Sequence, residues 1–251
     1  MRITTVGTGT AAPHPRRVQS AVFIEVADLR LLIDCGSGAV HRMAELGVPW
    51  ATLTHVALTH FHADHTSDLA TLLFAWRWGQ LPPRSEPATV IGPPGTIDLL
   101  RKHADAMGGS MLEAIPSLTI AELAPGETMQ LGPYALEARK VPHTVESVAY
   151  SLSGDGRRLV VSGDMAFDPS FAEWARGSDV LVCECSLPDS LAAPTHLTPR
   201  QCGHLGALAE PGLLALTHLY PPVEQVDIVG EVRESYAGPV VVCDDGWTLD
   251  L

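Results

Sequence analysis

The stretch from Leu58 to His65 reads LTHFHADH and places four metal-competent side chains, His60, His62, Asp64 and His65, within six residues directly after an apolar run. In an extended segment His60 and His62 project from the same face, so they can share one ion through imidazole nitrogens. Asp64 and His65 are adjacent, and they reach a common point only if the chain turns. The largely apolar run Leu53–Leu58 (LTHVAL) reads as a buried strand, and Ser67 onward reads as a helix; a strand end that breaks into a helix supplies that turn. A lone histidine is more often a packed residue than a ligand, but packing does not explain four such groups at this spacing. Imidazole and carboxylate without thiolate suit zinc first, with iron or manganese as alternatives.

Other segments point the same way. The chain opens on VGTGTAAPHPRRVQSA, continues with LLIDCGSG, and later carries GPPG at Gly92–Gly95, HTVESVAY around His143, and a run from SGDM through DVLVCECS. With the His-x-His-x-Asp-His core, these motifs resemble the metallo-β-lactamase superfamily and, within it, the ribonuclease Z-like branch, over nearly the whole chain. The resemblance implies an α/β fold, an αββα sandwich of two mixed sheets flanked by helices with the site at one edge. It also implies three further ligands at later strand ends. His143 follows EARKV, Asp164 follows RLVVSG, and His218 follows LLALT; each sits where an apolar run meets polar residues, the place where open sheets present site residues. In that assignment His60, His62 and His143 bind a first metal, Asp64, His65 and His218 a second, and Asp164 bridges. Asp34 either orients the ligands through hydrogen bonds or only fixes the turn before Gly36.

The catalytic candidates are Asp64 and His196. His196 lies in THLTPRQCGHLGALAEPGLLALTH, and the matching histidine of the branch protonates the leaving oxygen, which is general acid work. The alternative is that it merely precedes a helix capped by Thr198 with Pro199 at its first position. His14, His41, His55, His103 and His204 lack ligand neighbours and read as structural. Five cysteines, an odd number, argue against a disulfide framework; Cys183 and Cys185 share one face of a strand and read as small buried thiols.

At 251 residues and 46% hydrophobic content, one domain over 1–251 with a sizeable core is expected. No segment approaches the eighteen apolar residues of a membrane span, and the start lacks a signal-peptide pattern, so a cytoplasmic protein with no membrane partner is expected. Strands are expected at Arg2–Val6, Ala21–Val26, Arg30–Asp34, Leu53–Leu58 and Thr89–Ile91, with antiparallel strands through Met129–Leu152 broken at Gly132-Pro133. Others follow at Leu159–Ser162, Val180–Cys185, Leu213–Thr217 and Val240–Val242. Gly154-Asp155-Gly156 signals a hairpin. Helices are expected at Ala39–Glu45, Ser67–Trp78, Thr96–Ala106, Pro169–Ala175, Pro199–Leu208 and Gln225–Glu234.

Two divalent ions suit hydrolysis but do not identify the bond. The superfamily cleaves phosphodiesters, lactones, thioesters, sulfate esters and β-lactams on this kind of site. Ribonuclease Z enzymes carry a glycine- and basic-rich arm between the third-motif histidine and the bridging aspartate, and it grips tRNA. Here only twenty residues lie between His143 and Asp164, and the arm is absent. Sixteen Lys plus Arg against twenty-nine Asp plus Glu give a net charge of −13, which repels a polyanion. The expectation is therefore a dinuclear hydrolase of small phosphodiesters or cyclic nucleotides that does not engage tRNA. Lactone, ester, β-lactam or aryl sulfate hydrolysis and tRNA 3′-end cleavage are the alternatives. The dense patch Leu72–Trp78 marks a dimer interface, a substrate wall or core, and the branch dimerises through this region.

Overall fold

A computed structural model describes residues 1–82, 84–107, 112, 115 and 117–251. In chain order the elements are β1 (Arg2–Gly7), β2 (Ala21–Val26), β3 (Leu29–Ile33), α1 (Ala39–Leu46), β4 (His55–Ala57), α2 (Ala63–Trp78), β5 (Ala88–Gly92), α3 (Thr96–Ala106) and β6 (Leu118–Glu122). There follow β7 (Thr128–Leu131), β8 (Tyr134–Lys140), β9 (Val148–Gly154), β10 (Arg157–Val161), α4 (Pro169–Ala175), β11 (Val180–Glu184), α5 (Pro199–Ala209), β12 (Leu213–Thr217), α6 (Ile228–Arg233), β13 (Val240–Val242) and β14 (Thr248–Asp250). Two seven-stranded sheets form, ordered β14-β1-β2-β3-β4-β5-β6 and β13-β12-β11-β10-β9-β8-β7. Each is antiparallel in one half and parallel in the other, the switch falling at β3 and at β10.

The central parallel strands, β11 and β12 among them, are buried on both faces, which is why they read as apolar runs. In β3, Leu31 and Ile33 point between the sheets while Leu32 points to the helices; in β11, Val180 and Val182 point inward while Leu181 and Cys183 point outward. The inner core joins Ile3, Ile24 and Leu31 to Leu136, Tyr150 and Val182. Outside, α1, α2 and α3 pack Met43, Leu69, Leu73, Trp76 and Leu100 on the first sheet, and α4, α5 and α6 pack Phe171, Leu205 and Val232 on the second. The result is the expected αββα sandwich. All five cysteines are buried and free.

Several boundaries differ from expectation. α2 starts at Ala63, not Ser67, because the chain turns at an extended His62 (ψ 150°) that makes no side-chain cap; Asp64 and His65 thereby enter the first turn. β4 is shorter than Leu53–Leu58 because Thr54 bonds Arg30 through its hydroxyl and Leu58 has already left toward β5. The expected helix Gln225–Glu234 breaks into a single turn, Val223–Gln225, and α6, which Asp227 caps by accepting from Gly230 N. β6 and β14 were not expected. Among the described residues, no helix is long and apolar enough to cross a membrane.

Candidate metal centre

The strand ends carry the chemistry. The loop after β4 presents His60 and His62, the first turn of α2 presents Asp64 and His65, and the residues following β8, β10 and β12 present His143, Asp164 and His218. Three sets of ligand-competent atoms result, each within 4.8 Å of one another: His60, His62, His143 and Asp164; Asp64, His65, His218 and Asp164; and, beside them, Glu184, His196 and His218. Asp164 belongs to the first two. Its Oδ2 lies 3.8 Å from His60 Nε2 and 3.7 Å from His143 Nε2, while its Oδ1 lies 3.2 Å from His65 Nε2 and 3.3 Å from His218 Nε2. Asp64 Oδ2 completes the second set, 3.4 Å from His218 Nε2.

The other ring nitrogens are held in place. His65 Nδ1 donates to Asp34 Oδ2 at 2.7 Å, and His143 Nδ1 donates to the Thr195 carbonyl at 2.9 Å. His60 Nδ1 meets Thr59 Oγ1 at 3.1 Å, and His218 Nδ1 meets Ser186 Oγ at 2.9 Å. Pinning Nδ1 leaves Nε2 as the inward atom of these four rings. His62 is the exception, turning Nδ1 toward His143 at 3.1 Å. Asp34, of two possible roles, takes the orienting one: it also accepts from Thr59 N at 2.8 Å, so one carboxylate ties the β4 end to the α2 turn.

These residues fit a metal. His60 Nε2, His65 Nε2 and Asp164 Oδ1 are buried and make no hydrogen bond, although burying unpartnered polar atoms is costly. Aimed at one another, their lone pairs are accounted for by a cation between them. The protonic balance is strained without one. Burial and the neighbouring His65 lower the His60 pKa to about 2. Burial works against ionised Asp64, but His218 and His65 outweigh it and bring its pKa to about 2. Burial likewise opposes charge on His65, yet Asp164 and Asp34 raise its pKa. A metal entering here displaces protons.

His196 stands beside the cluster, its ring 5.0 Å from that of His143 and stacked 5.7 Å from that of His218. Its Nδ1 meets Glu184 Oε1 at 3.1 Å. Burial lowers the His196 pKa, but the bond and charge of Glu184 outweigh it, so the net shift is upward. The helix cap is present as well: Thr198 and Gln201 form a reciprocal capping box with Pro199 in the first turn. Glu184 was missed in the sequence. It is 1% exposed and also accepts from Met165 N, Leu197 N and Ser186 Oγ at 2.6, 3.1 and 2.5 Å. Its one sign in the sequence is a single acid between two cysteines inside the apolar run DVLVCECS.

The cluster opens on a cleft of about 410 Å³ lined by Ala11, Gln19, His62, Ala63, Asp64, Asp164, His196 and Tyr220. A larger hollow of about 740 Å³ beside β8 and α4 contains none of these histidines; the chemistry belongs to the smaller one.

A two-sheet αββα sandwich gathering five histidines and two aspartates at one edge defines a metallo-β-lactamase-fold hydrolase of the ribonuclease Z-like branch, a metal-dependent class. More narrowly, the chain belongs to the Anti-Pycsar protein Apyc1 family, whose profile matches residues 1–202. It is 31% identical to the uncharacterized protein Rv1339 of Mycobacterium tuberculosis over 251 residues, 98% of this chain and 91% of that one. It is 28% identical to Ribonuclease Z of Myxococcus xanthus, with 100% and 98% of the two chains covered. The crystal structure of the metallo-beta-lactamase fold protein YhfI from Bacillus subtilis matches with a TM-score of 0.86 at 23% identity, covering 99% of this chain and 98% of that one.

Proposed function

We propose that the chain is a dinuclear phosphodiesterase acting on small phosphodiesters, cyclic nucleotides among them. The observation that carries this reading is Asp164, whose two oxygens face two separate pairs of imidazole nitrogens. His60, His62 and His143 would hold one divalent ion, Asp64, His65 and His218 the other, and Asp164 both, with zinc preferred over manganese or iron. Bound there, two such ions supply Lewis acidity for the attacking water and for charge on the ester. Asp64 lines the cleft as an ionised carboxylate placed to take the water's proton. His196, with Nδ1 held by Glu184, presents Nε2 to protonate the leaving oxygen. A 410 Å³ cleft suits a small ligand. The net charge of −13 and the arm-less connector between His143 and Asp164 speak against a nucleic acid. In this reading residues 1–251 form one domain that works in the cytoplasm as a homodimer, its interface taking the half-exposed rings of Phe74 and Trp78.

A second reading, tRNA 3′-end cleavage, is favoured by the likeness to Ribonuclease Z. The deciding experiment is a panel of bis-nitrophenyl phosphate, a cyclic nucleotide, a lactone, a nitrophenyl sulfate, a cephalosporin and a precursor tRNA, each with zinc and with manganese. Phosphodiester turnover well above the rest is expected; turnover of another ester alone overturns the reading. Elemental analysis should find two metals per chain, fewer in Asp164→Ala together with lost hydrolysis; one metal in fully active protein refutes the dinuclear centre.

A further inference from the structure

One metal ligand sits on a loop that a single ammonium group gathers. β8 and β9 pair as far as Lys140 and Val148, and the seven residues between them, 141–147, carry His143. Packing does little to fix the tip of this loop: Val145 is 93% exposed, and Thr144 and Glu146 are half-buried. Polar ties fix it instead. Thr144 N donates to Ser147 Oγ at 3.1 Å, Val141 N to the Ser147 carbonyl at 3.2 Å, and Ala166 N to the Pro142 carbonyl at 2.7 Å. The carbonyls of Thr144 and Val145 receive no backbone N–H among the described residues.

Lys140 serves them. Its Nζ donates to the carbonyls of Thr144, Val145 and Ser147 at 2.5, 2.9 and 3.3 Å. An ammonium carries three protons and accepts nothing, so all three are matched inside the loop and none is left for a substrate. Three carbonyls drawn to one point set the curvature of the chain from Thr144 to Ser147, and with it the path of the backbone at His143. The His143 ring has a separate tie, Nδ1 to the Thr195 carbonyl at 2.9 Å; that tie sets the rotation of the ring, not where the backbone carries it. The second set of ligands is held without this loop, His65 by Asp34 and His218 by Ser186.

We infer that Lys140 is a positioning residue for the first metal: by drawing three carbonyls together it presents His143 beside His60 and His62, so that affinity at that site, and not at the second, depends on it. The inference rests on the two-metal reading. Its sign is distinctive. Lys140 is a cation, and removing a cation from the neighbourhood of a divalent ion would, by Coulomb's law alone, tighten metal binding. Loss of positioning weakens it, since outer partners that orient a ligand are worth about 10–100-fold in metal affinity.

The test withdraws metal from the zinc-loaded full chain with a competing chelator and reads the free-zinc level at which each ion leaves. Wild type should release two ions, and His143→Ala identifies which release belongs to the first site. A wild type that releases one ion, or a His143→Ala protein that releases both ions as wild type does, refutes the two-metal assignment and the inference with it. Lys140→Met keeps the length of the side chain and loses its donors; water reaches the freed carbonyls at the surface, so the fold survives. In this variant the ion assigned to His143 should leave at a free-zinc level about tenfold higher or more, and the other within about twofold of its wild-type level. If instead Lys140→Met releases both ions as wild type does, holds the first more tightly, or weakens both alike, the inference is overturned while the two-metal centre stands.

Discussion

At the scale of single residues, the pair Glu184–His196 separates acid catalysis from charge binding. If His196 protonates the leaving oxygen, its removal hurts in proportion to how badly that oxygen needs a proton. A nitrophenolate departs as an anion; a ribose oxygen does not. His196→Ala should therefore slow a nucleotide diester by ~10²-fold or more, the usual scale of general acid catalysis, and a nitrophenyl diester much less. Equal losses on both substrates, with metal content intact, would make His196 a substrate-charge contact instead. The pH dependence follows from Glu184. The active form is the imidazolium, so activity is present below the raised His196 pKa and is lost as pH rises through it. Glu184→Gln removes the carboxylate that outweighs burial, and the alkaline limb of kcat should move to lower pH. A limb that stays in place in that variant would detach the limb from His196.

At the scale of elements, the site depends on how closely three segments approach. Gly36, between β3 and α1, lies so near α2 that an added Cβ would sit 2.1 Å from the Asp64 carbonyl oxygen and 2.6 Å from Gln19 Cβ. Gly36→Ala must push the first turn of α2 away from Asp34, whose carboxylate holds His65. Overpacking of this kind costs ~1–3 kcal/mol, so thermal unfolding should shift down by roughly 2–12 °C, with reduced metal content. A wild-type melting curve and full metal loading would show that this contact relaxes freely. The same elements explain what the sequence disclosed. All seven clustered residues were legible because each ends or directly follows an apolar run, and doubly buried strands such as β11 and β12 leave such runs. β6 and β14 were not, because their burial alternates between half-exposed and exposed positions and no apolar run forms. The start of α2 was misplaced because His62 caps it without a side-chain bond. Glu184 shows locally only as a lone acid inside an apolar run, and its meaning comes from His196, Met165 and Leu197, which the fold brings to it.

At the scale of the whole molecule, charge is what the proposed preference for small diesters over RNA rests on. The connector between His143 and Asp164 is a plain hairpin, β9 and β10 turning at Asp155 and Gly156 with φ of 53° and 72°. Its basic residues are engaged within the chain. Arg157 pairs with Asp179 at 2.8 Å, and Arg158 donates to Ser151 Oγ and the Trp174 carbonyl at 2.9 and 2.6 Å. The Arg16–Arg17 pair is spent in the same way: Arg17 is buried against Glu224 and Asp244, and Arg16 lies 3.7 Å from Glu224. Non-specific nucleic-acid affinity comes from cations that displace condensed counterions. A surface of net charge −13 whose clustered arginines are largely held by bonds within the chain displaces few. Binding of tRNA measured by filter retention or anisotropy near physiological salt should therefore be undetectable, and a precursor tRNA should keep its 3′ trailer. Lowering the salt to 20 mM should recover little, since there is no large phosphate-contact term to unmask. Tight binding that falls by orders of magnitude between roughly 50 and 200 mM salt, or trailer removal at the correct nucleotide, would move the chain from small diesters to RNA.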